Sequence, residues 1–246
     1  MAQKGLGKSI IILIILAAGI TGVFVYKKIA ARNSLAAQIA ALSPRGAPPQ
    51  SIEDLRKAIA LYEKKIDEHV KDAAQTGIYW KILGSRLMDS RQPLYGEALE
   101  ALQTAARYFP EDETVHYLIG VSAGSLARSE YFSPGEQAEH YRIAEAAYLR
   151  ALDLQGRYGK ALYGLGVLYV FNLDRPEEAI PYLELFLDIN KRDTDGMFVL
   201  ASARALTGDF AGAADLYDRI IGLTKDQKVK DQAELNKQKV MDAWYR

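Results

Sequence analysis

The sequence predicts an all-α fold: four stacked helix pairs between two capping helices, preceded by one apolar helix at the amino-terminal end. Three observations carry this. One spacing of small and large apolar residues, three and four apart as on one face of a helix, returns four times between residues 77 and 227. An uncharged stretch of 18 residues, Ser9 to Tyr26, precedes the repeats. The flanking segments 51–76 and 228–246 carry narrow apolar stripes of the same period.

Residues 1–8 form a short basic tail with Lys4 and Lys8. Residues 9–28 then read as a transmembrane helix. At 1.5 Å per residue the 18 uncharged residues SIIILIILAAGITGVFVY span about 27 Å, enough for a hydrocarbon core. A cleaved signal peptide would have a shorter apolar region followed by a small-x-small site. Ala17-Ala18-Gly19 offers such a site, but apolar sequence continues for seven residues beyond it, so an uncleaved anchor is expected. Lys27, Lys28 and Arg32 follow the span and are placed to meet anionic lipid head groups. Residues 29–42 are Ala-rich and read as a helical stalk, and 43–50 (SPRGAPPQ) as a linker. A helix over 51–76 starts at Ser51, with Glu53 and Asp54 in its first turn, where acids favour the helix dipole. Its stripe runs Ile52, Leu55, Ile59, Tyr62, Ile66, Val70 and Ala73, and it is expected to cap the repeats; a coiled-coil partner is the alternative. The last helix, 228–246, sets Val229, Ala233, Val240 and Trp244 on one side under a polar outer face, as a terminal cap requires.

The four repeats occupy 77–112, 113–158, 159–193 and 194–227. The first reads Trp80, Leu83, Gly84, Leu87, then Ala98, Leu102, Ala105 and Pro110. The second reads His116, Ile119, Gly120, Ala123, then Ala144, Tyr148, Ala151 and Gly156. The third reads Leu162, Leu165, Gly166, Tyr169, then Ala179, Leu183 and Phe186; the fourth reads Met197, Leu200, Ala201, Arg204, then Ala213, Tyr217 and Ile220. Small residues at Gly84, Gly120, Gly166 and Ala201, and again at Ala98, Ala144, Ala179 and Ala213, are expected where helices pass closely. The second repeat carries about twelve extra residues within 125–137. These are expected to lengthen a helical hairpin, or alternatively to form a partner-contacting loop that exposes Tyr131 and Phe132.

The series is similar to the tetratricopeptide repeat, W-x2-L-G-x2-Y…A-x3-F…P, a helix-turn-helix unit of about 34 residues. The resemblance implies an α-solenoid in which stacked neighbours complete a continuous core. It implies protein partners bound on a concave face, and no catalysis. That face is formed by the first helix of each unit. By register it comprises Lys81, Ser85 and Met88; Tyr117 and Val121; Lys160, Tyr163, Val167 and Val170, with Phe171 beside them; and Phe198, Ser202 and Ala205. Members that grip a terminal carboxylate use a clamp of Lys and Asn. Lys81 and Lys160 match two clamp positions, but Ser85, Leu118 and Gly164 stand at the others, so the clamp is expected to be absent.

Charge and chemistry narrow the function. The chain holds 31 basic and 31 acidic residues, but residues 1–52 carry six Lys or Arg and no acid. The repeats are therefore acidic, which argues against nucleic acid, whose binding needs a basic face. There is no cysteine, hence no disulfide, thiolate metal site or cysteine nucleophile. His69, His116 and His140 do not stand at metal-ligand spacing from one another. Gly164-Leu165-Gly166 lacks the third glycine of a dinucleotide loop, and Glu177-Glu178 begin a helix. No catalytic residue, metal site, cofactor or small-molecule substrate is expected.

The chain thus reads as a membrane-anchored scaffold for protein–protein interaction, a non-catalytic subunit of an envelope or secretion assembly. A receptor or chaperone-like module for translocating polypeptides, and a regulatory subunit of a membrane enzyme, are the alternatives. The charges flanking the span nearly balance. The form of the span, an apolar run behind a short basic tail, favours a bacterial inner-membrane protein with periplasmic repeats over cytoplasmic ones.

Overall fold

A computed structural model of the chain describes residues 52–129 and 132–245. The expected membrane helix, stalk and linker, and the lipid contacts Lys27, Lys28 and Arg32, lie outside the described residues, as does Tyr131. Among the described residues no helix is long and apolar enough to cross a membrane.

The described residues are helical. In chain order they form α1 (Ile52–Met88), α2 (Tyr95–Tyr108), α3 (Glu113–Ala127), α4 (Pro134–Leu154), α5 (Gly159–Phe171), α6 (Pro176–Ile189), α7 (Thr194–Leu206), α8 (Phe210–Leu223) and α9 (Gln227–Trp244). The chain divides into two units, residues 1–72 and 73–246. Of the first, the described part is the opening of α1, on which Ile59, Ile66 and Val70 are each more than half exposed. α1 runs without a break through Gly77, so the expected capping helix and the first helix of repeat one are a single 37-residue helix.

Within the second unit each helix from α2 onward packs on the next, and α5 also packs on both α3 and α7. The first helices of successive repeats therefore form one layer of the stack. Several helix starts are fixed by side chains that accept an otherwise orphaned backbone N–H. Asp112 caps α3 through Val115, Asp193 caps α7 through Gly196, and Asp209 caps α8 through Gly212. At α4, Ser133 and Glu136 form a reciprocal capping box. The turns after α5 and α7 each put one residue, 174 or 208, in the left-handed region. Gly208 (φ 83°) suits that conformation, whereas Asp174 (φ 51°) adopts it with a side chain.

The close-approach positions lie where the register puts them. Ala98, Ala144, Ala179, Ala201 and Ala213 are fully buried. A Cβ on Gly84 would stand 2.5 Å from Leu102, one on Gly120 2.5 Å from Tyr148, and one on Gly166 2.5 Å from Leu183. These three partners are equivalent residues of the second helix. Hydrogen bonding also joins neighbouring repeats: Tyr169 Oη and Arg175 Nη1 both donate to Glu145 Oε1 at 2.9 Å.

The first repeat departs from the expected pattern. Trp80 and Leu83 are 36% and 43% exposed, whereas their third-repeat equivalents Leu162 and Leu165 are 1% and 0% exposed. The third repeat stands between two others, whereas no repeat precedes the first. At the other end, Ala233 and Val240 of α9 are buried, but Trp244 is 47% exposed and stacks on Tyr245.

The long second-repeat insertion is mainly helix. α4 has 21 residues against 14 for α6 and α8, and α3 has 15 against 13 for α7. The remainder lengthens the turn between α3 and α4. Phe132 is half-buried in that turn, its ring 4.9 Å from His140 and its carbonyl accepting from Gln137 Nε2. It is thus packed within its own hairpin rather than displayed.

Candidate functional site

α3 and α5 lie side by side and bring five of the expected groove residues together: Tyr117, Val121, Lys160, Tyr163 and Val167. They border two depressions. The larger, about 420 Å³, opens at the amino-terminal ends of these helices. Tyr117, Tyr158, Lys160 and Tyr163 meet Phe186, Ile189, Asn190 and Asp193 there. Its walls are aromatic. Tyr117 meets Tyr158 edge-on at 5.7 Å, and Tyr163 lies 5.3 Å from Phe186. The Lys160 ammonium sits 5.9 Å from the Tyr117 ring centre. Burial, aided by Tyr158, pushes the Tyr117 phenol up; burial, aided by Asp195 and Asp193, does the same for Tyr163. Both therefore keep their protons at neutral pH and remain O–H donors on apolar rings.

The smaller depression, about 160 Å³, lies toward the other ends of α3 and α5. It is lined by Val121, Gly124, Ser125, Arg128, Tyr148, Gly164, Val167, Leu168 and Asn172. Its geometry follows from two glycines on different helices. The Tyr148 ring reaches up from α4 and is 6% exposed. It lies where a Cβ on Gly120 of α3 would be 2.5 Å away, and one on Gly164 of α5 2.9 Å away. The ring is held between the two helices because neither carries a side chain there. Burial, with Tyr117 nearby, raises the Tyr148 phenol well above its ordinary value. Asn172 Nδ2 donates to Tyr141 Oη at 3.1 Å. Arg128 is exposed, and its guanidinium donates to Ser125 Oγ at 3.4 Å.

The remaining expected groove residues are engaged differently. Lys81 Nζ donates to Asp112 Oδ2 at 2.6 Å, tying α1 to the residue that caps the start of α3. Ser85 Oγ donates to the Lys81 carbonyl, and Ser202 Oγ to that of Phe198. Phe198 is half-buried against Tyr217, with 5.9 Å between ring centres. Phe171 is 57% exposed and borders neither depression. Sequence reasoning missed Tyr148, Arg128 and Asn172 as members of the site. His116 is half-buried, with Nε2 2.9 Å from the Pro110 carbonyl. Among the described residues no three His, Asp or Glu side chains gather to hold a metal.

Comparison with known proteins agrees with this architecture. A tetratricopeptide repeat family model matches residues 136–194 and 170–228. A TPR repeat-containing protein of Borreliella burgdorferi is 23% identical over 190 residues, covering 77% of this chain and 80% of its own. Among solved structures, YrrB, described as a TPR protein with an unusual peptide-binding site, superposes with a TM-score of 0.57 at 19% identity, over 72% of this chain and 82% of its own. MamA from Desulfovibrio magneticus RS-1, residues 41 to the end, gives 0.54 at 18% identity, over 68% and 94%. At these identities the structural likeness speaks to fold alone. Residues 136–228 thus match the tetratricopeptide repeat model, and the fold is an all-α, TPR-like helical solenoid.

Proposed function

We propose that this chain is a non-catalytic scaffold that holds a protein partner against the face formed by α3, α5 and α7, beside a membrane in which residues 9–28 anchor it. The observation that carries the reading is the pair of depressions between α3 and α5, bordered by Tyr117, Val121, Lys160, Tyr163 and Val167. Aromatic rings with a polar handle, set around a concavity, are the usual anchors of a protein interface. TPR proteins generally serve as interaction scaffolds, and the similar protein YrrB is described with a peptide-binding site. Support for the anchor is the 18-residue uncharged stretch from Ser9 to Tyr26, with Lys27, Lys28 and Arg32 at its edge. The repeats then lie in the bacterial periplasm, and the partner is a subunit of an envelope or secretion assembly.

Photo-crosslinking in native membranes tests this. A probe at Lys160, Tyr163 or Ser202 should capture one stoichiometric protein, and probes at Glu177 or Lys239 should not. Tyr163→Ala with Phe198→Ala should abolish capture while far-UV circular dichroism stays unchanged. Equal capture from all positions, or capture that survives the double substitution, refutes the reading.

A further inference from the structure

The two depressions differ in chemistry, and their separation is fixed by α5. The smaller offers donors: the Arg128 guanidinium and the Ser125 and Tyr148 hydroxyls. Among the described residues Arg128 joins no ion pair, whereas Lys81, Arg175 and Arg204 each hold a carboxylate. The larger depression is ringed by Tyr117, Tyr163 and Phe186. Gly159, Lys160 and Tyr163 of α5 face the larger, and Gly164, Val167 and Leu168 the smaller. At 1.5 Å per residue their mean positions are roughly 9 Å apart. Three residues of chain in the extended polyproline II conformation cover that distance at about 3.1 Å each, and with three residues per turn their first and last side chains project from the same side.

We infer that this face selects an extended partner segment that carries an acidic side chain for the Arg128 depression and, three residues away, an aromatic or large aliphatic side chain for the Tyr117–Tyr163–Phe186 depression. The inference rests on the protein-binding reading above and deepens it. A carboxylate completes the donors left open at Arg128 through charge-assisted hydrogen bonds. The apolar side chain excludes water from the larger depression and gains edge-to-face contacts. Gly164 keeps the smaller depression open, because any side chain there would meet the Tyr148 ring.

The full-length chain in detergent, panned with phage-displayed random dodecapeptides, gives the test. Selected peptides should share Asp or Glu three positions from Phe, Trp, Leu or Met. Replacing that acid by its amide in a synthetic peptide should weaken binding about tenfold, the worth of one charged hydrogen bond. Arg128→Glu, at an exposed site outside the packing, should turn the selected acid into Lys or Arg. Peptides that Tyr163→Ala releases but that lack the acid, or that bind wild type and Arg128→Glu alike, overturn the inference and leave the protein-binding reading standing. A panning that yields no peptide sensitive to Tyr163→Ala also overturns it, and the crosslinking experiment then decides the broader reading on its own.

Discussion

Gly120→Ala adds one carbon, and its effect is set by the ring it would meet. That carbon would lie 2.5 Å from Cε1, 2.6 Å from Cδ1 and 2.9 Å from Cζ of Tyr148. Ordinary carbon contacts are about 3.5–4.0 Å, so ring or helix must retreat by roughly 1 Å. The ring is rigid, and the Gly164 backbone of α5 also closes on it, an added Cβ there lying 2.9 Å from Cζ. Overpacking of this kind costs about 1–3 kcal/mol. Alanine returns up to about 1 kcal/mol in helix propensity. From the middle of the overpacking range, about 2 kcal/mol, the net loss is about 1–2 kcal/mol, or roughly 2–8 °C in Tm for a domain of this size. Gly222→Ala is the control. That glycine is exposed near the end of α8, with nothing within 4 Å of an added Cβ, so Tm should hold or rise. Thermal melts followed by far-UV circular dichroism, with Tyr148→Leu added to close a double-mutant cycle, measure the coupling. If Gly120→Ala melts at or above wild type, as the control should, the ring is not confined and the account of the smaller depression fails.

Three further outcomes are expected. Asp174→Gly should raise Tm by a few degrees, because the left-handed backbone costs a residue with a side chain about 1 kcal/mol; a fall would show that the Asp174 side chain stabilises the turn. Ala213→Leu should destabilise by about 1–3 kcal/mol in denaturant melts, since Ala213 is fully buried where α8 crosses its partner. Asp112 gives a pH signature. Burial opposes its ionisation, but hydrogen bonds from Lys81 and the backbone of Val115 and Thr114 hold its carboxyl below the ordinary carboxylate value. Its contribution is therefore present above that value and lost as the pH falls through the lowered pKa. Asp112→Asn keeps the cap and removes the ion pair, so near neutral pH it should cost about 0.5–1 kcal/mol, a gap that closes below about pH 4.

The stack was legible in the sequence because its determinants are local and periodic. Gly84, Gly120, Gly166 and the buried alanines recur at one spacing, and each packs as that spacing implies. The site was legible where it shares the period: Tyr117, Val121, Lys160, Tyr163 and Val167 were reached by register alone. Arg128 and Asn172 stand just past helix ends, where insertions break the register and the period gives no direction. Gly164 sits at a position that conveys only the loss of a clamp residue. Its role depends on Tyr148 of the preceding repeat, a contact between helices that spacing within one repeat does not encode. The exposure of Trp80 and Leu83 was hidden for a related reason, since a repeat pattern presumes a neighbour on both sides.

The chain's two tryptophans, Trp80 and Trp244, stand toward opposite ends of the unit and are both partly wet. Indole emission therefore watches the margins of the array and is blind to its middle, where tyrosines fill the interior. Repeat arrays loosen from their ends. A fluorescence melt should consequently start red-shifted and finish before the circular dichroism signal does, so the lag between the two traces reads out how far fraying has travelled inward.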